Sequence, residues 1–254
     1  MATFGIALWV GGSQSTFAAE TGKPLVLKPD EELNVNLSTS LNGKCNVRVN
    51  KEYLFVDLPQ HQIELVAKAP EWNVEAISEP RKLTGKCTLE EFVRRGSPLN
   101  FLKIGSVPEW PLIPQPKTTF NGWVASAYAM PFKTQKGDVV PLSRGRVGNV
   151  VVLGAGVIPM PACRIISTLI QTPKVDGITV KLFLTQMDAS TTKMNSVFLF
   201  SGMKRTNPKE VDTLSAAIAK RKPLPSVKGY KVCKDPRDVW VSHADTEGFE
   251  GLMR

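Results

Sequence analysis

From Leu33 to Val49, apolar and polar residues alternate on either side of an Asn-Gly pair, and this pattern restricts the fold more than any other in the chain. Leu33, Val35 and Leu37 alternate with Asn34, Asn36 and Ser38; Cys45, Val47 and Val49 alternate with Lys44, Asn46, Arg48 and Asn50. A period of two puts each apolar set on one face of an extended strand. Asn42-Gly43 supplies the residues that a tight hairpin turn prefers. Tyr53 to Leu58, Gln62 to Ala67 and Trp72 to Ile77 continue as short runs of the same kind. Short strands at this spacing suit an antiparallel sandwich rather than a parallel sheet.

The second half offers further strands at Gly122 to Met130, Val147 to Ile158, Ala162 to Gln171, Gly177 to Gln186 and Ser196 to Phe200. Phe183 interrupts the polar face of its run, which predicts a strand covered on both sides. Two helices are expected. Thr88 followed by Glu91 is a capping box ahead of Phe92 and Val93, and Gly96 and Pro98 stop that helix. Asn207-Pro208 and Glu210 open a second, with Val211, Leu214 and Ile218 as an apolar stripe and Lys220, Arg221 and Lys222 before Pro223 at its end. The predicted fold class is mainly β: an antiparallel β-sandwich, either jelly-roll-like or two small β-sandwich domains, with two short helices.

Prolines and charge divide the chain. Pro108, Pro111, Pro114 and Pro116 fall within nine residues, which forbids helix and favours a stiff, extended connection. The 254 residues therefore read as a neutral β-rich domain over 1–105, a Pro-rich linker over 106–120 and a basic β-rich domain over 121–254. A long ordered crossover inside one sandwich is the alternative. Residues 1–105 hold twelve cations and twelve acids, whereas 106–254 hold twenty and eleven, so the whole net charge of +9 lies in the second part. A split of this kind points to two surfaces with different partners.

Little in the sequence points to an active site, and the chain is read as no enzyme. The two histidines, His61 and His243, have no nucleophile elbow near them. Cys45, Cys87, Cys163 and Cys233 form no CxxC pair, so no metal is expected and the thiols read as reduced and mostly buried. Leu153-Gly-Ala-Gly-Val157 has the glycines of a dinucleotide loop, but Pro159 and Pro161 stand where its receiving helix should start. Gly154 and Gly156 then mark a bulge or bend in a long strand, and no cofactor is expected. Residues 1–19 carry no charge and lack the basic start of a signal peptide, so they read as an arm that packs on a neighbouring domain or subunit and the protein as not secreted.

The strongest chemical feature is basic. Lys204, Arg205, Lys209, Lys220, Arg221, Lys222, Lys228, Lys231, Lys234 and Arg237 face only Glu210, Asp212 and Asp235, a net +7 over 38 residues. Such groups neutralise phosphates and release counterions. Tyr230 and Trp240 add rings on which a base can stack. The expected partners are nucleic acid, RNA favoured, and the chain itself as a homo-oligomer or shell. An anionic membrane surface is the weaker alternative, because no long amphipathic helix accompanies the charge.

An uncharged arm, a proline-punctuated β-rich body, few cysteines and a basic flank together resemble viral structural proteins in general character. The resemblance implies a self-assembling capsid or matrix subunit, in the virion or the host cytoplasm, that contacts nucleic acid through its basic second half. The alternative is a non-structural nucleic-acid-binding protein of the movement or silencing-suppressor type.

Overall fold

The computed structural model describes residues 22–39, 42–95, 111–131, 146–184, 209–234 and 236–240. The chain is mainly β. In the first half β1 (Glu31–Thr39), β2 (Gly43–Val49), β3 (Tyr53–Leu58), β4 (Ile63–Lys68), β5 (Val74–Ser78) and β6 (Leu83–Cys87) form a meander, each strand antiparallel to the next. In the second half β7 (Ile113–Phe120), β8 (Trp123–Pro131), β9 (Arg146–Leu153), β10 (Ile178–Leu184) and β11 (Lys209–Lys220) do the same. β11 also pairs with β1, from Glu31 opposite Lys220 to Thr39 opposite Val211. The two meanders are thereby one sheet of twelve strands, completed by β12 (Lys231–Val232), which lies parallel to β6. β12 and β7 are its edges, and the sheet is not closed.

The alternation seen in the sequence explains the core. Leu33, Val35, Leu37, Cys45, Val47 and Val49 all point inward and are buried, as are Leu54, Val56, Leu58, Ile63 and Leu65 on the next two strands. They share one apolar cluster with Val150, Val152, Ile178, Val180 and Val211 of the second half. Two α-helices complete the described architecture, α1 (Leu89–Arg95) and α2 (Met160–Ile170). α1 has its expected capping box: the Glu91 amide donates to the Thr88 hydroxyl at 3.1 Å, and the Thr88 amide donates to the Glu91 carboxylate at 3.1 Å. Arg164 of α2 forms a bidentate pair with Glu90 of α1, at 2.8 and 3.0 Å.

Two segments take the opposite secondary structure from that expected. Residues 209–220 are strand β11, not a helix. Its backbone is paired with β1 from Val211 to Lys220 and with β10 from Lys209 to Asp212, and these ladders outweigh a local helical preference. The stripe of Val211, Leu214 and Ile218 has a different origin. The register steps from Leu37 opposite Thr213 to Asn36 opposite Ser215, so Leu214 is an extra residue in a bulge. The bulge reverses the alternation: Val211 and Ile218 both face the core, and Leu214 is 58% exposed.

Residues 160–170 are helix α2, not a strand. Pro159 is the N-cap and Pro161 lies in the first turn, where the N–H they lack has no intrahelical partner to lose. Ala162, Cys163, Ile165, Ile166, Leu169 and Ile170 bury one broad face in the shared core. The strand expected to reach Ile158 stops at Leu153 instead. Gly154 turns the chain at a φ of 80°, and a Cβ there would come within 2.7 Å of the Ile158 side chain.

The first hairpin is close to expectation, with one adjustment. Gly43 pairs with Thr39, so it begins β2 instead of sitting at the tip of the turn, and it holds a left-handed φ of 61°. Asn42 is buried and its amide donates to the Leu169 carbonyl at 3.0 Å, which ties the hairpin to the last turn of α2. Part of the expected Pro-rich connection, Ile113 to Phe120, is the edge strand β7. The strand expected at Ser196 to Phe200 lies outside the described residues.

Candidate nucleic-acid interface

The outer face of the first meander has its own apolar patch. Tyr53 and Phe55 on β3, Val66 on β4 and Ile77 on β5 point away from the main core and are nevertheless buried. An apolar patch on a sheet face needs a cover. The chain supplies one after β11: residues 221–230 cross this face as a strap, laying Leu224, Val227 and Tyr230 on the patch.

Polar contacts fix the strap at both ends. At its start the Arg221 amide donates to the Asp30 carbonyl at 3.0 Å. The Arg221 guanidinium bonds Glu52 at 2.5 Å and the Pro29 carbonyl at 3.3 Å, and lies 5.2 Å from the centre of the Tyr53 ring. Arg48, from the outer face of β2, reaches the Pro223 carbonyl at 3.5 Å and stacks 4.2 Å from the Phe55 ring centre. At the far end the Lys231 amide donates to the Lys82 carbonyl at 2.8 Å and the Cys233 amide to the Thr84 carbonyl at 2.7 Å. A single turn of 3-10 helix, Pro236–Val239, then puts Val239 into the main core, where it is fully buried. Arg81 donates to the Val239 carbonyl.

Beneath the strap lies a buried polar group. Glu32 is fully buried; the Tyr53 hydroxyl donates to it, and Arg48 stands 3.7 Å away. Burial, followed by the Glu32 hydrogen bond and charge, pushes the Tyr53 phenol above its ordinary range. A buried carboxylate held by one cation and one hydroxyl fixes the orientation of both, and these two side chains carry the rings and planes on which the strap rests.

Five of the residues predicted to meet nucleic acid lie on this strap or beside its ends: Lys222 and Lys228 on it, Lys220 just before it, and Lys231 and Lys234 just after it. Lys220, Lys222, Lys228, Lys231 and Lys234 are exposed, and among the described residues none has a carboxylate within ion-pairing distance. Arg221 differs, because Glu52 and Tyr53 already hold it. Lys209 opens β11 and Arg237 lies in the 3-10 turn, while Lys204 and Arg205 are outside the described residues. Lys82, just before β6, and Lys86 on β6 were not among the expected residues; Lys82 borders the strap at Tyr230, and the two are paired with Glu79 and Glu75 respectively. The proximity of Lys82 comes from the parallel pairing of β12 with β6, which no local pattern announces. The two rings expected to take bases are both in use. Tyr230 packs on the outer patch with the Lys82 ammonium 5.0 Å from its ring centre, and Trp240 packs against the main core.

Other candidate chemistry is sparse. Among the described residues no group of three or more His, Cys, Asp or Glu side chains could hold a metal ion, and no helix is long and apolar enough to cross a membrane. The Gly156 amide of the glycine loop donates to the Asp176 carboxylate at 3.1 Å, so an internal acid occupies the place a phosphate would take. Burial lowers the His61 pKa. The four thiols are free, and burial pushes Cys45 up to about 12 and Cys163 to about 11. The chain matches no family model and no curated protein.

Proposed function

We propose that the chain is a self-assembling structural protein, a viral capsid or matrix subunit, that contacts nucleic acid, RNA favoured, through its strap. One observation carries this reading: Lys220, Lys222, Lys228, Lys231 and Lys234 are exposed along a single anchored segment and have no ion-pair partner among the described residues, while the Arg221 charge holds that segment down. Anchoring the backbone of the segment spares a bound polyanion the cost of ordering that backbone, while the lysine side chains still lose rotamer freedom on binding. The common core of the two meanders also supports a jelly-roll-like sandwich, in which the sheet folds over α2. The site of action in this reading is the virion or the host cytoplasm.

A specific feature favours the second reading, a non-structural nucleic-acid-binding protein of the movement or silencing-suppressor type. Both sheet edges are blunted. β12 has two residues, and β7 carries Pro114 and Pro116, which cannot donate to a ladder. Self-assembly would then use faces or the uncharged arm instead of strand edges.

Size-exclusion chromatography with light scattering, read at 260 and 280 nm, separates the two. A large species carrying nuclease-resistant nucleic acid supports the structural subunit; a monomer that binds added RNA supports the second reading. For binding itself, five phosphate contacts predict a log-log salt slope of about −3.5 on single-stranded RNA. Replacing Lys228, Lys231 and Lys234 by Ala should shallow it by about 2. An unchanged slope removes the strap from the interface.

A further inference from the structure

We infer that the strap recognises the phosphate backbone and stacks no base. The inference rests on the nucleic-acid reading above and narrows its ligand to a sequence-independent polyanion, with no stacking platform.

The geometry of the rings carries it. Binding of single strands without sequence preference usually combines a basic groove with aromatic faces on which bases stack. The strap has the basic half of that arrangement only. Tyr230 lies between Lys228 and Lys231 in sequence, the position from which a ring would serve a bound strand. Its side chain instead turns down onto Tyr53, Phe55, Val66 and Ile77, and the Lys82 ammonium stands by its ring, with the Nζ also 3.4 Å from the phenol oxygen. Tyr53 and Phe55 are buried and taken by Arg221 and Arg48. Trp240 packs on the main core and Trp72 is buried within it. Among the described residues, every aromatic ring near the lysines is therefore already in contact with a cation or an apolar cluster. The acids beside the row are also committed: Glu52 to Arg221, Glu75 to Lys86 and Glu79 to Lys82. What remains facing solvent is a line of ammonium groups. Compact, strongly hydrated point charges of that type suit phosphate oxygens and give a base no face on which to stack.

The experiment is a fluorescence anisotropy titration of the full chain at one fixed salt concentration. The probes are labelled oligo-U, oligo-dA and a deoxyribose-phosphate strand without bases, each of about twenty nucleotides, longer than single-strand sites usually are. The expected result is that all three bind with dissociation constants within about twofold of one another. A base-free strand that binds about fivefold or more weaker than both others overturns the inference, since that is the least a single stacked base contributes. If no strand binds, with or without bases, the nucleic-acid reading itself fails. The variant Tyr230→Leu keeps an apolar side chain on the patch and removes the ring. Its affinity for oligo-U should stay within about twofold of the parent, and a loss of about fivefold would show a stacking role.

Discussion

At the residue scale, burial sets the chemistry. Cys45 and Cys163 sit in the shared core with their thiols pushed up to about 12 and about 11, by burial first and then by Asp57 and Asp176 respectively, which backbone bonds partly oppose at Cys163. The thiolate is the reacting form, so iodoacetamide at pH 8 should label the half-exposed Cys87 and Cys233 and leave Cys45 and Cys163 unmodified until the protein unfolds; mass spectrometry of the digest reads this directly. Glu64 illustrates the opposite cost. It stands across from Asp57 on the outer face, with one carboxylate oxygen buried and unbonded. Burial, then Asp57, raises its pKa, with Arg48 acting the other way and Glu79 adding to the rise. The folded state thus holds this proton more tightly than the unfolded chain. Its contribution to stability is complete below the ordinary value near 4.5 and is lost as pH rises through the raised folded value. Glu64→Gln should therefore raise the melting temperature at pH 7 and leave it nearly unchanged at pH 4.

At the scale of elements, the outcomes divide by how local the deciding forces are. The capping box of α1 is a four-residue matter and was legible from Thr88 and Glu91 alone. Thr88→Ala should cost about 1 kcal/mol, measurable by urea unfolding. The β1–β2 hairpin was legible for the same reason, since each strand carries its inward face in its own alternation. β11 was not. A single bulge at Leu214 gave a strand the apolar spacing of a helix, and only the ladders to β1 and β10 decide between the two. Val211 is fully buried on this central strand, so Val211→Asp buries an unpaired carboxylate and should leave no cooperative folding transition by circular dichroism. α2 was hidden by its prolines, which read as barriers yet sit where helices accept them. The basic residues were found by composition, but the strap that displays them was not. Its support comes from Tyr53, Phe55 and Arg48, more than a hundred residues earlier in the chain. Arg221→Ala removes the bond to Glu52 and the plane over Tyr53, so brief trypsin digestion should cut after Lys228 faster than in the parent.

For the whole molecule, the pairing of β1 with β11 joins the halves that charge and prolines separate. The neutral and basic parts differ at the surface, yet Leu33 and Val35 share their cluster with Val150, Ile178 and Val211. Heat should therefore unfold the described body in one calorimetric transition, and two separated transitions would show that the apolar cluster does not couple the halves. The return of the strap, β12 and Val239 to the first meander also governs the order of events during synthesis. A ribosome that has made residues 31–87 has produced six strands whose outer patch is bare and whose first strand lacks its β11 partner. Both are completed only after some 150 further residues have emerged. The segment that closes the body is the same one that displays the lysines, so under the proposed function a nascent chain would gain its affinity for polyanions only at the step that covers its apolar surface. Stalled or prematurely ended chains would be left sticky towards other proteins and, under the same proposal, without their surface for RNA.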